Sequence, residues 1–209
     1  MTEADYIEKY SSSHLDQVLG WLEKQTHLRT NCARMLSGKV VGGLISHLSQ
    51  MIRPKAILEL GVFTGYSTIC LAAGLAEGGV IDALELNDEL EDLIKEGYSR
   101  AGISSRVNLI FGDAKEIIPS LSREYDLVYI DANKREYLEY YNLVFDKVRS
   151  GGYILADNVL WSGKVLEDPQ PADAQTAGIE AFNRAVAADN RVENLILPFR
   201  DGLNIIRKL

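Results

Sequence analysis

Asp131, Asp157 and Asn158 are hard oxygen donors, and each stands just after an apolar run of strand length. Tyr125–Ile130 leads into the first, and Gly152–Ala156 into the other two. Two carboxylates and an amide at adjacent strand ends suit a divalent ion such as Mg²⁺, with Mn²⁺ or Ca²⁺ as further candidates. They also leave coordination positions open for water or substrate. Taken singly, either acid could equally cap the loop or helix that follows it. Lys134 comes three residues after Asp131, on the first turn of a helix. Beside a cation its ammonium is repelled and its pKa falls, so it could take a proton from a substrate hydroxyl. Without the acids it would read as a solvated lysine. His14, His27 and His47 are scattered, with no zinc spacing, and no Gly-x-Ser-x-Gly elbow or Cys/His pair supplies a nucleophile.

A second group of residues lies in Ala56–Ser67, Ala-Ile-Leu-Glu-Leu-Gly-Val-Phe-Thr-Gly-Tyr-Ser. A strand feeds a glycine turn and then a helix start, the opening of a nucleotide-binding α/β sheet. Gly61 and Gly65 let backbone approach a ligand closely. The spacing is neither the dinucleotide fingerprint nor a phosphate-binding Walker loop. Glu59, a carboxylate at the strand end, suits a ligand with an ammonium group, as in the methionine part of S-adenosylmethionine. The alternative is an ordinary strand–turn–helix with Glu59 in a structural salt bridge. Glu85 ends the next strand about 20 residues on, where nucleoside-binding sheets hold a ribose diol. In Gly112-Asp113-Ala114, Asp113 is placed to cap the following helix and the Ala114 region to meet an adenine ring.

The elements that position these residues alternate. Strands are expected at Ala56–Leu60, Val80–Leu86, Arg106–Phe111, Tyr125–Ile130 and Gly152–Ala156. Helices are expected at Tyr66–Leu75, Asp88–Ala101, Asp113–Leu121, Lys134–Val148 and Ala174–Ala188. Alternating β and α elements with right-handed crossovers give a parallel sheet covered on both faces. A loop from Asn158 to about Asp173 is too long to be a mere connector. Val192–Leu197 and Leu203–Arg207, joined through Asp201-Gly202, read as a hairpin. The fold class is therefore α/β: a doubly wound, seven-stranded, Rossmann-like methyltransferase sheet with a C-terminal antiparallel hairpin. The first 52 residues read as covering helices. Leu15, Val18, Leu19 and Leu22 mark one behind a Ser11–Ser13 cap, and Val40–Met51 forms another before Pro54. These helices cover the sheet edge, the cleft or a second subunit. Gly38, Gly42 and Gly43 are read as allowing close helix packing.

The 209 residues fit a single domain, with 46% apolar and 25% charged residues. A net charge of −8 argues against nucleic acid or an anionic membrane as the main partner. Cys32 and Cys70 form no disulfide framework, and no apolar run approaches the roughly 20 residues of a membrane span. An acidic N-terminus lacks the pattern of a secretory signal, so a cytoplasmic protein is expected.

Five stretches together resemble the cation-dependent, S-adenosylmethionine-dependent O-methyltransferases of the caffeoyl-CoA and catechol group. They are Leu-Glu-Leu-Gly-Val-Phe-Thr-Gly-Tyr-Ser (58–67), Gly-Asp-Ala (112–114), Tyr-Ile-Asp-Ala-Asn-Lys (129–134), Asp-Asn-Val-Leu-Trp-Ser-Gly-Lys-Val (157–165) and Leu-Pro-Phe-Arg-Asp-Gly-Leu (197–203). The resemblance implies metal binding by Asp131, Asp157 and Asn158, and Lys134 as general base beside Asp131. It implies a cofactor set of Ser37, Glu59, Gly61, Ser67, Glu85, Asp113, Ala114, Asp131 and Asn133. Asn133 stands where the family often has a second Asp. Met35–Gly42 lacks the family's usual Pro and acid or Gln, and Ser162 replaces an Asn of the plant enzymes. Both departures border the acceptor, which is expected to be a hydroxylated aromatic small molecule. Trp161 is expected to wall the acceptor ring or to anchor its loop, and a homodimer is expected. The rival readings are methylation of a hydroxylated uridine in transfer RNA, a nucleoside-binding oxidoreductase, and a non-catalytic binding module.

Overall fold

A computed structural model of the chain describes residues 1–168 and 172–209. Its seven strands are β1 (Ala56–Leu60), β2 (Val80–Glu85), β3 (Val107–Phe111), β4 (Tyr125–Ile130), β5 (Val148–Asp157), β6 (Val192–Leu197) and β7 (Leu203–Lys208). They form one sheet in the order β3-β2-β1-β4-β5-β7-β6. β1 to β5 pair in parallel, and β7 is antiparallel to both β5 and β6. The hairpin thus inserts its second strand between β5 and β6.

The helices are α1 (Glu3–Tyr10), α2 (Asp16–Arg29), α3 (Gly38–Ile52), α4 (Tyr66–Ala72), α5 (Glu91–Arg100), α6 (Ala114–Ile117), α7 (Tyr137–Phe145) and α8 (Ala174–Ala188). Side chains alternate across the strands, and two cores result. Leu58, Leu60, Val128, Ile130, Ile154 and Ala156 face α7 and α8, packing with Tyr137, Tyr141, Ile179 and Phe182. Ile57, Leu127, Tyr129 and Leu155 face the other way, toward Leu22, Ile45, Ile69 and Ile94 of α2 to α5. Strands buried on both faces read as continuous apolar runs, which is why β1 and β4 were legible. Each buried Leu or Ile contributes about 1.5–3 kcal/mol.

Several boundaries differ from expectation, each for a local reason. The helix expected over Asp113–Leu121 shrinks to α6 and a 3₁₀ turn at Ile118–Ser120, because Pro119 lacks the N–H that would continue it. The helix expected from Lys134 begins as a 3₁₀ turn, Lys134–Glu136, and α7 ends at Phe145. Val148 already pairs with Tyr125, and the register then shifts before Leu127 pairs with Tyr153. Gly151-Gly152 inside β5 marks this irregularity and not the strand's start. The Ser11–Ser13 segment does not cap α2. Leu15 holds that position without a side-chain cap, while the Ser13 amide donates to the Asp16 carboxylate.

The 158–173 loop contains a 3₁₀ segment, Trp161–Leu166, with a kink at Ser162 and Gly163. Its residues 169–171 lie outside the described residues. Gly42 meets the packing expectation: a Cβ there would come within 2.7 Å of the Tyr66 ring and 2.9 Å of Cys70 Sγ. Gly43 has open space around it instead. No helix among the described residues is long and apolar enough to cross a membrane.

Candidate active site

The chain reverses its direction of travel across the sheet between β1 and β4, and a cavity of about 1210 Å³ opens over their carboxyl ends. Asp131 follows β4, Asp157 ends β5 and Asn158 follows it, and all three line the cavity, with Lys134 beside them. Lys134 is buried at 8% exposure. Its Nζ donates to Asp131 Oδ1 at 2.6 Å and to the Tyr137 hydroxyl at 2.8 Å. The Tyr137 hydroxyl in turn donates to the backbone oxygen of Asp157 at 2.9 Å. Asp157 Oδ2 accepts from the Tyr129 hydroxyl at 2.9 Å, and its Oδ1 accepts from the Asn158 amide at 2.8 Å.

Burial, and then the neighbouring Asp131 carboxylate, raises the Asp157 pKa. Left-handed backbone clusters just after this strand, at Asn158 (φ 60°), Trp161 (48°) and Ser162 (55°). Such clustering is a feature of ligand sites. Among the described residues no group of three or more His, Cys, Asp or Glu side chains gathers to hold a metal.

At the other end of the cavity lie Glu85, Gly112, Asp113 and Ala114. Asp113 caps α6 as expected, accepting from the Lys115 amide at 2.8 Å. Asn133 likewise accepts from the Arg135 amide. Glu85 does more than end a strand. Its Oε2 accepts from the Val62 and Phe63 amides at 2.9 and 2.7 Å, and Phe63 is left-handed at φ 54°. The carboxylate therefore holds the glycine turn in shape.

Gly61 and Glu59 each have a neighbour that the sequence did not reveal. Gly61 lines the cavity, but what a Cβ there would strike is the backbone oxygen of Asp131, and its φ is 90°. The glycine admits β4's end, not only a ligand. Glu59 does not line the cavity. It is wholly buried behind Ser67, whose hydroxyl donates to Glu59 Oε1 at 2.5 Å, and Ser67 is the one that faces the cavity. Burial pushes the Glu59 carboxyl up to about 7 against the opposing effect of Ser67, and among the described residues its Oε2 has no hydrogen-bond partner. Among the described residues Glu59 takes part in no salt bridge.

Ser37 lines the cavity with Met35 and Leu36 of the N-terminal segment, so the helices before β1 do form part of its wall. Trp161 lines the cavity and also packs on the α7/α8 core, with its indole N–H buried and, among the described residues, without a hydrogen-bond partner. Sequence reasoning missed Tyr129 and Tyr137. The available signal was spacing: Tyr129 shares its strand face with Asp131, and Tyr137 falls one turn after Lys134.

Residues 8–209 match the family model described as O-methyltransferase. The chain belongs to the O-methyltransferase family. This methyltransferase is 32% identical over 179 residues to a caffeoyl-CoA O-methyltransferase of Medicago sativa, a match covering 80% of the chain and 72% of that protein. Its fold is similar to that of an O-methyltransferase from Bacillus cereus in complex with SAH. There the TM-score is 0.88 at 27% identity, over 98% of this chain and 96% of the other. An SAH-bound methyltransferase from Podospora anserina gives 0.89 at 28% identity, over 99% and 93%. Membership sets aside the oxidoreductase and non-catalytic readings and makes the methyltransferase an enzyme acting on an oxygen acceptor.

Proposed function

We propose that this O-methyltransferase moves the methyl group of S-adenosylmethionine onto one hydroxyl of a vicinal-diol aromatic, a catechol or caffeoyl-type acceptor, with a divalent cation at Asp131, Asp157 and Asn158. The observation that carries the reading is the meeting of these three oxygen donors with Lys134 in one cavity. The donor set fits a hard cation: two adjacent carboxylates, one of them with a raised pKa, lose their mutual repulsion when a dication is shared. Such an ion supplies Lewis acidity that lowers a phenol hydroxyl from its usual pKa of about 10.

The chain's own residues do the rest. As a neutral amine Lys134 has two N–H donors, which match Asp131 and Tyr137, and one lone pair, which would accept the proton of the acceptor hydroxyl and leave an ammonium beside Asp131. Asp131 and Tyr137 fix where that nitrogen sits, and orientation of this kind is a large part of rate enhancement. Ser67 meets the amino-acid end of the cofactor, with Glu59 behind it holding the Ser67 hydroxyl in place. Glu85 takes the ribose, and Asp113 and Ala114 border the adenine. Trp161 walls the acceptor ring. The reading includes a homodimer through the N-terminal helices, supported by the exposed Tyr6, Ile7 and Tyr10 of α1.

Methyl transfer to catechols and caffeoyl esters, assayed with and without chelator, tests this. Turnover is expected to vanish in chelator and in Asp131→Ala, while the variant still binds S-adenosylmethionine in calorimetry. Full activity in either case overturns the metal role. Tight transfer-RNA binding at physiological salt, with no small-molecule turnover, would favour the RNA acceptor.

A further inference from the structure

Arg34 and Arg200 line the cavity mouth, and both are exposed. Among the described residues neither guanidinium has a hydrogen-bond or ion-pair partner. Arg123, Arg149 and Arg191 are tied to Asp82, Asp126 and Asp189, and Arg34 and Arg200 are the arginines that line this cavity. A chain of net charge −8 has acids available for these two as well. Asp201, the next residue after Arg200, instead accepts from the Ser162 amide.

The backbone supplies a second, independent observation. Arg200 is left-handed at φ 50°, a region where a side chain crowds the following carbonyl and Gly or Asn is usual. Strain of this kind persists where the surroundings over-determine it, and it concentrates at ligand sites. The turn is held by Gly202 N–H donating to Phe199 O at 3.0 Å and Leu160 N–H donating to Asp201 O at 2.8 Å. A Cβ at Gly38 would come within 3.4 Å of Arg200 Nη1. The C-terminal hairpin therefore carries its guanidinium to the start of α3, on the same rim as Arg34. The Leu160–Asp201 and Ser162–Asp201 bonds join that rim to the Trp161 loop, away from the Glu85 and Ala114 end.

We infer that Arg34 and Arg200 bind an anionic group carried by the methyl acceptor, a carboxylate or phosphate, and select acidic diols over neutral ones. The inference rests on the reading that this cavity takes a vicinal-diol aromatic. A guanidinium fork matches the two oxygens of either anion. The diol-binding donors Asp131, Asp157 and Asn158 lie at the strand ends and the two arginines at the helix and hairpin side of the cavity, so an acceptor held by both is oriented with its diol inward and its acid at the rim.

The test is steady-state methylation of catechol, 3,4-dihydroxybenzoate and a caffeoyl-CoA thioester by the wild type, Arg34→Gln and Arg200→Gly. Glycine relieves the left-handed backbone, so Arg200→Gly is expected to melt no lower than the wild type. In the wild type kcat/KM is expected to favour an acidic acceptor over catechol at least tenfold. Each variant is expected to cut that preference about tenfold, mainly through KM, and 0.5 M KCl to weaken it in the wild type. Whichever acid loses more identifies the anion as carboxylate or phosphate. No wild-type preference, or a preference for both acids that survives both substitutions, overturns the inference. Should no acceptor be methylated, the proposed function fails, and calorimetry of 3,4-dihydroxybenzoate then decides the inference by itself. Binding about tenfold weaker in Arg200→Gly sustains it, while equal or absent binding overturns it.

Discussion

The Lys134 ammonium lies 2.6 Å from Asp131 Oδ1, three residues away along the chain, in a site where the lysine is nearly enclosed. A 3₁₀ first turn sets this pair, with Asn133 capping it and Tyr137 receiving the second Nζ hydrogen bond. Lys134→Met keeps the side chain's length and removes its charge. The expected result is a kcat loss of about 10²–10⁴-fold, the usual contribution of a positioned acid–base group, with S-adenosylmethionine affinity retained. Initial rates and calorimetry check this, and a kcat within twofold of wild type removes Lys134 from the chemistry.

Tyr137 joins the lysine to the backbone of the Asp157 strand end, and its ring meets Phe182 edge-on at 5.5 Å. Tyr137→Phe preserves that packing and leaves a buried donor and a buried acceptor without their partner, at a cost of about 1–3 kcal/mol. A purely structural tyrosine would lower the melting temperature alone. Here kcat is expected to fall as well, with little change in KM, as read from parallel melting and kinetic measurements.

Glu59 is a carboxyl whose folded-state pKa is raised, to about 7 from 4.5, by burial. The folded state therefore holds its proton more tightly than the unfolded chain does between those values. Its contribution is most favourable below pH 4.5 and is lost as pH rises toward 7, by about 3 kcal/mol at roughly 1.4 kcal/mol per pH unit. Asp157, also raised, acts in the same direction. Glu59→Gln is expected to flatten this decline. Urea unfolding of both proteins at pH 5 and pH 7.5 measures it, and equal losses in the two would exclude Glu59 as the source.

Gly61→Ala adds a Cβ where the Asp131 carbonyl already sits, at a φ of 90°. Since the struck atom is backbone, relief requires β1 and β4 to part at their ends. The expected outcome is a destabilisation above about 3 kcal/mol or failure to accumulate folded protein, seen in denaturant melts. A variant as stable as wild type would mean that the β1 and β4 ends part freely.

Strand existence and type were legible because β1, β4 and the second half of β5 are apolar runs bounded by Gly, Asp and Asn. The positions of Asp131, Asp157 and Asn158 at strand ends followed from those runs. Short-range signals also carried through: Asp113 does cap α6, and Asp201-Gly202 does turn a hairpin. The alternating pattern sufficed for a doubly wound α/β class, since period-2 and period-3.6 burial need only local sequence.

What local sequence could not contain was who lies next to whom. That Gly61 is needed by Asp131's carbonyl, that Glu59 sits behind Ser67, and that Glu85 holds the Val62 and Phe63 amides are all contacts between distant segments. So are the Tyr129 and Tyr137 bonds to Asp157, and the place of Arg200 beside α3. Residue types and strand ends were dictated by the chain, because burial patterns are written along it. Proximity was decided by the crossovers and by the order β3-β2-β1-β4-β5-β7-β6, which only packing in three dimensions selects.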